Sequence, residues 1–291
     1  MNERLVSRAA PAVFVLLWST GFIVARYATE DANALSFLAV RTIVAAAILF
    51  LVARITGEAP VPRASIPAQA VVGVGMHAMY LGGVFLAIGR GLPSSISALI
   101  AALHPVVTPI VARVVLDEGL SRRQITGMGL GLAGVVAVVV EHGIGSRGVT
   151  VFGLTAMAVA VAGMAGGTLV QRGHGAGTPL LGGTAWQYTS ASIVFVVTAL
   201  VGQGWRFEPT ARTFWSLAWA VGVLSIAAIL IMLWLLHRRA TARVSSLFFL
   251  TPAFSTLEAA VLFGERLGLL AVLGLVVATA GVGLATTGGS R

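Results

Sequence analysis

The sequence predicts an all-α polytopic membrane protein, with ten transmembrane helices arranged as two inverted five-helix repeats. Three observations predict it. Apolar side chains make up 57% of the 291 residues and charged ones only 10%, against about 25% charged in a soluble domain. Ten apolar stretches follow one another with short gaps. The two halves of the chain also match each other at a fixed offset. A soluble globule of this size needs a charged coat, which 19 basic and 10 acidic side chains cannot supply. An ordinary soluble enzyme, a disordered chain and a coiled coil are excluded on the same ground.

The stretches run over 11–27, 36–53, 67–88, 96–116, 124–140, 149–170, 180–201, 213–235, 244–263 and 267–286. Each is close to the roughly 20 residues that cross a hydrocarbon core about 30 Å thick. The gaps leave no room for a soluble domain, and the alternating pattern of barrel strands is missing. Arg4 and Arg8 precede the first stretch. With no visible cleavage site and no soluble chain behind it, that stretch is expected to be a permanent span.

All the basic residues are arginines, and they set the orientation. With the N-terminus inside, 11 fall on the inner side and 5 on the outer, while Arg26, Arg41 and Arg113 lie inside spans. This bias places both termini of a multi-pass membrane protein in the cytoplasm. Scattered single arginines form no stripe for nucleic acid, so none is expected as a partner. The partners expected are a small-molecule substrate and the lipid bilayer, with the chain acting as a monomer. There is no cysteine, which removes disulfides and thiolate metal sites.

At an offset of 147 residues Pro105 falls on Pro252, Glu118 on Glu265, and Gly127 and Gly134 on Gly274 and Gly281. Shared Leu and Val would be trivial among apolar helices. Pro and Glu held thirteen apart in both halves are not. Five spans per half is an odd number, so the second half enters the membrane upside down. Repeats of 1–145 and 146–291 follow, an arrangement found in secondary transporters.

The segments Pro105-Val106-Val107 through Asp117-Glu118-Gly119-Leu120, and Pro252-Ala253-Phe254 through Gly264-Glu265-Arg266-Leu267, resemble the signature of EamA-type proteins of the drug/metabolite transporter superfamily. The resemblance covers essentially the whole chain. It implies a ten-span carrier similar to bacterial exporters of aromatic amino acids. Small multidrug members of the superfamily rely on a Glu in the first span, and this chain has none there.

Several residues near the midplane are candidates for the substrate path. Pro105 and Pro252 fall near the centres of spans four and nine, where each frees the carbonyl four residues back, Ala101 and Phe248. His77 and Tyr80 share one face of span three, and His104 adjoins Pro105. An imidazole facing lipid is costly, so both histidines are expected to face the interior. Trp18 precedes Ser19 and Thr20, and Trp186 precedes Gln187 and Tyr188. A deep indole beside polar groups suits a planar, partly polar ligand. Trp205, Trp215, Trp219 and Trp234 fit an aromatic belt at the interfaces. Glu258, with Phe254 one turn before it, is the carboxylate placed well inside a span, and Arg26 and Arg41 are its candidate partners. Arg113 snorkels to water. Gly127, Gly131, Gly281 and Gly283 are assigned to close helix packing.

The substrate-binding set is therefore Trp18, His77, Tyr80, His104, Trp186, Gln187, Phe254 and Glu258, with kinks at Pro105 and Pro252. No cofactor, metal or catalytic residue is expected, and no nucleotide loop is present. The function expected is secondary transport of small organic metabolites by alternating access through a central cavity, and the resemblance implies export and, as substrates, aromatic or other hydrophobic amino acids. The cavity should be lined by spans one, three, four, six, seven, eight and nine, with five and ten peripheral. The alternatives are a multidrug exporter of cationic compounds and an intramembrane enzyme built on His77, His104 and Glu258.

Overall fold

The computed structural model describes residues 3–117, 119–143, 148–174, 177–228, 231, 250–265 and 268–287. It is all-helical: α1 (Glu3–Asp31), α2 (Ala34–Ile55), α3 (Arg63–Gly89), α4 (Ser94–Leu116), α5 (Arg122–His142), α6 (Val151–His174), α7 (Leu180–Gly202), α8 (Ala211–Ala227), α9 (Thr251–Phe263) and α10 (Leu269–Thr287). Helices α2 to α7 are each long and apolar enough to cross a membrane by length and composition. This is the build of a polytopic membrane protein. The end of the eighth apolar stretch, with Trp234, and the start of the ninth, with Phe248, lie outside the described residues.

The fourth span is not a continuous kinked helix. It breaks at Ala102–Leu103 into Ser94–Ala101 and His104–Leu116. Pro105 therefore sits in the first turn of a new segment, where a missing N–H leaves no gap in the ladder. The carbonyl of Ala101 is met by Nδ1 of His104 at 3.3 Å, so that nitrogen carries the hydrogen. Pro252 is likewise the second residue of α9.

Helix N-termini present unpaired amides, which apolar surroundings cannot satisfy. Three carboxylates from elsewhere in the chain meet them. Glu58 accepts the N–H groups of Leu180, Leu181 and Gly182 at 3.0, 3.0 and 2.7 Å. Glu141 accepts those of Leu270 and Ala271. Glu265 accepts those of Ser94 and Ser95 and also pairs with Arg26 at 2.8 Å. Each negative group also lies at the positive end of a helix dipole.

Helix α2 packs against α7, α5 against α10, α3 and α4 against α6, and α8 and α9 against α1. The α5–α10 contact is built from glycine. A Cβ added to Gly127 would stand 2.5 Å from the Gly281 carbonyl oxygen, and one added to Gly134 would stand 2.6 Å from the Ala278 nitrogen. Backbones touch there because nothing projects between them. Gly134 also lies against Gly274, so the two helices run antiparallel. At the α1–α2 turn, residues 204–208 pair with the chain: Asn33 N–H donates to Arg206 O at 3.0 Å, and Glu208 N–H to Asp31 O at 3.2 Å. Arg212 adds ion pairs to Glu30 and Asp31.

Candidate substrate cavity

A cavity of about 200 Å³ lies between α1, α2, α3, α6, α7 and α8. Its α3 wall carries His77, Tyr80 and Phe85. His77 belongs to a widened π-helical turn, Val74–Met79, a distortion that re-aims side chains and is frequent at functional sites. Gly73 brings the same helix against the backbone of Gln187, where a Cβ would not fit. His77 Nε2 consequently reaches Gln187 Oε1 at 3.3 Å, and its ring stacks on Tyr188 with centroids 4.3 Å apart. The amide Nε2 of Gln187 donates onward to Gln69 Oε1 at 2.7 Å and Gln171 Oε1 at 3.2 Å. With both amide hydrogens committed, Gln187 Oε1 accepts, and the His77 nitrogen is the donor.

The α1 wall supplies Trp18 and Phe22, α7 supplies Thr184, Gln187 and Tyr188, and α6 and α8 add Met164 and Leu224. From α2 comes Arg41, which is 4% exposed and meets Ser225 Oγ through Nε at 3.4 Å and Nη2 at 3.3 Å. Phe85 begins a row of stacked rings that runs towards the α1–α2 turn, Phe37 lying 5.8 Å from Phe85 and 6.4 Å from Phe207. A smaller space of about 20 Å³ shares Trp18, Phe22, Tyr80 and Met164 and adds His104 and Thr251.

The EamA-like transporter family matches the chain twice, over residues 11–140 and again over 151–287. The chain belongs to the EamA-like transporter family. Among its relatives is a probable amino-acid metabolite efflux pump of Escherichia coli (strain K12), 25% identical over 92% of this chain and 90% of the relative. One of the same description from Salmonella typhimurium is 24% identical over the same shares. A solved structure 18% identical shares the fold, with a TM-score of 0.64 over 98% of this chain and 99% of that one.

In this EamA-like transporter the cavity brings together Trp18, His77, Tyr80 and Gln187, with His104 in the adjoining space. Trp186 is turned away from both spaces and meets Phe50 edge-on, at 5.6 Å between centroids. Phe254 and Glu258 line neither. Glu258 is also not paired with an arginine. Arg26 lies over Phe263 at the end of α9 and pairs with Glu265 just beyond it, past the part of that helix that carries Glu258, and Arg41 is held by Ser225 on α8. Glu258 Oε1 instead lies 2.7 Å from Ser19 Oγ, while its Oε2 is buried without a hydrogen-bond partner. The Ser19 hydroxyl lies 2.9 Å from the Leu16 carbonyl as well. Arg113 pairs with exposed Asp117. Of the belt tryptophans, Trp219 donates its indole N–H to Thr20 Oγ1 at 2.9 Å.

Sequence reading missed Arg41, Tyr188, Gln69 and Gln171 as members of this site. For Tyr188 a signal existed: Leu180, Thr184, Gln187 and Tyr188 fall on one face at helical spacing, and Trp186 does not. The expected lining leaves out α2, yet α2 supplies the wall's arginine, whereas α4 and α9, expected in that wall, border only the smaller space.

Proposed function

We propose that this transporter exports aromatic or other hydrophobic amino acids across the bacterial plasma membrane, by alternating access through the cavity between α1, α2, α3 and α7. The observation that carries the reading is the composition of that wall: several rings and aliphatic groups around a few buried polar groups. An apolar lining with a small number of fixed polar groups suits a ligand of mixed character. The printed description of the two bacterial relatives, amino-acid metabolite efflux, agrees with it. The substrate-contacting set is Trp18, Arg41, His77, Tyr80, Gln187 and Tyr188.

The reading includes ten spans in two inverted repeats, 1–145 and 146–291, with both termini cytoplasmic. The doubled family match and the exchange of Gly127–Gly281 for Gly134–Gly274 across the seam support the repeat. A buried arginine in the wall argues against the cationic-drug alternative, because like charges repel. Membership of a transporter family favours a carrier over an intramembrane enzyme. Flux into proteoliposomes, with a panel of amino acids, sugars and cationic drugs, tests it. Phenylalanine, tryptophan and leucine are expected to move. Movement of cations or sugars with no amino-acid flux overturns the reading.

A further inference from the structure

Arg41 is a full positive charge held inside the helix bundle, and among the described residues no charge of opposite sign accompanies it. Its guanidinium offers five N–H donors in a planar fork, yet its hydrogen-bond partner is one neutral hydroxyl, Ser225 Oγ, at the long end of the range. The carboxylates that could have met it are used elsewhere among the described residues. Glu265 holds Arg26 and the start of α4, Glu58 the start of α7, and Glu141 the start of α10. Glu258 lies against Ser19. Glu30 and Asp31 pair with Arg212. An isolated buried charge is costly, and in a membrane protein it marks a functional site.

The fork borders the cavity with Trp18, Tyr80 and Tyr188. The ligand that completes it has a planar anion at one end and an apolar body at the other. We propose that Arg41 receives the carboxylate of the transported amino acid, while the side chain of the substrate lies among those rings. The inference rests on the amino-acid reading of the cavity and deepens it, because it assigns the carboxylate as the group without which a ligand is refused. A bidentate guanidinium–carboxylate pair is stronger than a neutral hydrogen bond and fixes the ligand's direction as well. Lysine is a poorer substitute, because its point charge lacks the fork.

Three ligands of one shape separate the groups: phenylalanine, 3-phenylpropionate, which lacks the ammonium, and phenethylamine, which lacks the carboxylate. Binding to the full chain in lipid nanodiscs is measured by titration calorimetry. The wild type is expected to bind phenylalanine and 3-phenylpropionate, and phenethylamine at least roughly tenfold more weakly. Arg41→Gln should lose roughly tenfold or more for both carboxylates and gain or keep affinity for the amine. Arg41→Lys should fall between. Phenethylamine bound as tightly as phenylalanine by the wild type overturns the proposal without any variant. So does unchanged carboxylate affinity in Arg41→Gln, or a wild type that binds neither carboxylate. If 3-phenylpropionate binds and depends on Arg41 while phenylalanine does not bind, the anion site stands and the amino-acid reading falls.

Discussion

The α5–α10 seam and the α1–α2–α3–α7 wall are both helix contacts inside one bundle, and they are built on opposite terms. At the seam, Gly127, Gly134, Gly274 and Gly281 remove the side chains so that backbones meet. At the wall, Trp18, Tyr80, Phe85 and Tyr188 hold helices apart around a space, and Gly73 permits close approach only where His77 must reach Gln187. Lipid tails are as apolar as leucine, so shape and hydrogen bonds set where membrane helices close and where they gape. At its glycines the seam leaves no room between the two backbones for a ligand. The wall can hold a ligand because it has not closed.

The comparison is broken most severely by filling the seam. Gly134→Leu is expected to destabilise the fold by about 3 kcal/mol or more, since the obstacles are the backbone atoms of Gly274 and Ala278 and not a movable side chain. Gly129→Leu on the same helix meets nothing within 4 Å, and should cost no more than about 0.5 kcal/mol. Melting temperatures in detergent compare them, and equal values would mean the seam does not hold the bundle.

A second pair sharpens the wall. Trp18→Ala should cut amino-acid flux by roughly tenfold at little cost in melting temperature, because it enlarges a space that already exists. Trp186→Ala should do the reverse: flux per folded molecule near wild type, with stability reduced by about 1–3 kcal/mol through loss of the Phe50 contact. Flux and melting curves on the same preparations decide, and matched losses in both variants would dissolve the distinction.

Glu58→Gln comes next. It keeps an acceptor but removes the charge at the start of α7, and a loss of about 1 kcal/mol is expected, read as a lower melting temperature. Glu258→Gln should have the smallest effect on stability, within about 0.5 kcal/mol, because the amide keeps the contact to Ser19. Its flux is expected to lose the pH dependence of the wild type. An unchanged pH profile would leave Glu258 as packing between α1 and α9.

Hydropathy makes most of the helices legible, and the glycines of spans five and ten mark those helices for close packing without saying that they pack on each other. The helix break at Ala102–Leu103 was less legible. Proline reads equally well as a kink in a continuous span or as the first turn of a new one, and only the backbone decides. Trp186 misled because three neighbouring residues on a helix point about 100° apart, and composition cannot say which one faces inward. Arg41 misled for a different reason. An arginine inside a span reads as a partner for a carboxylate in the same chain, whereas the surroundings of Arg41 supply one hydroxyl and an open space.

The offset that relates the two halves also relates the two faces of the cavity. Tyr188 stands 147 positions after Arg41, and Leu224 stands 147 after His77, and all four border the same space. A two-fold frame by itself would accept a guest equally well in either of two poses related by half a turn. Here one side offers guanidinium and imidazole where the other offers phenol and isobutyl. The poses differ in energy, and a guest with one charged end has a single way to lie. Direction is written into the guest's seat by chemistry that differs between residues 147 positions apart.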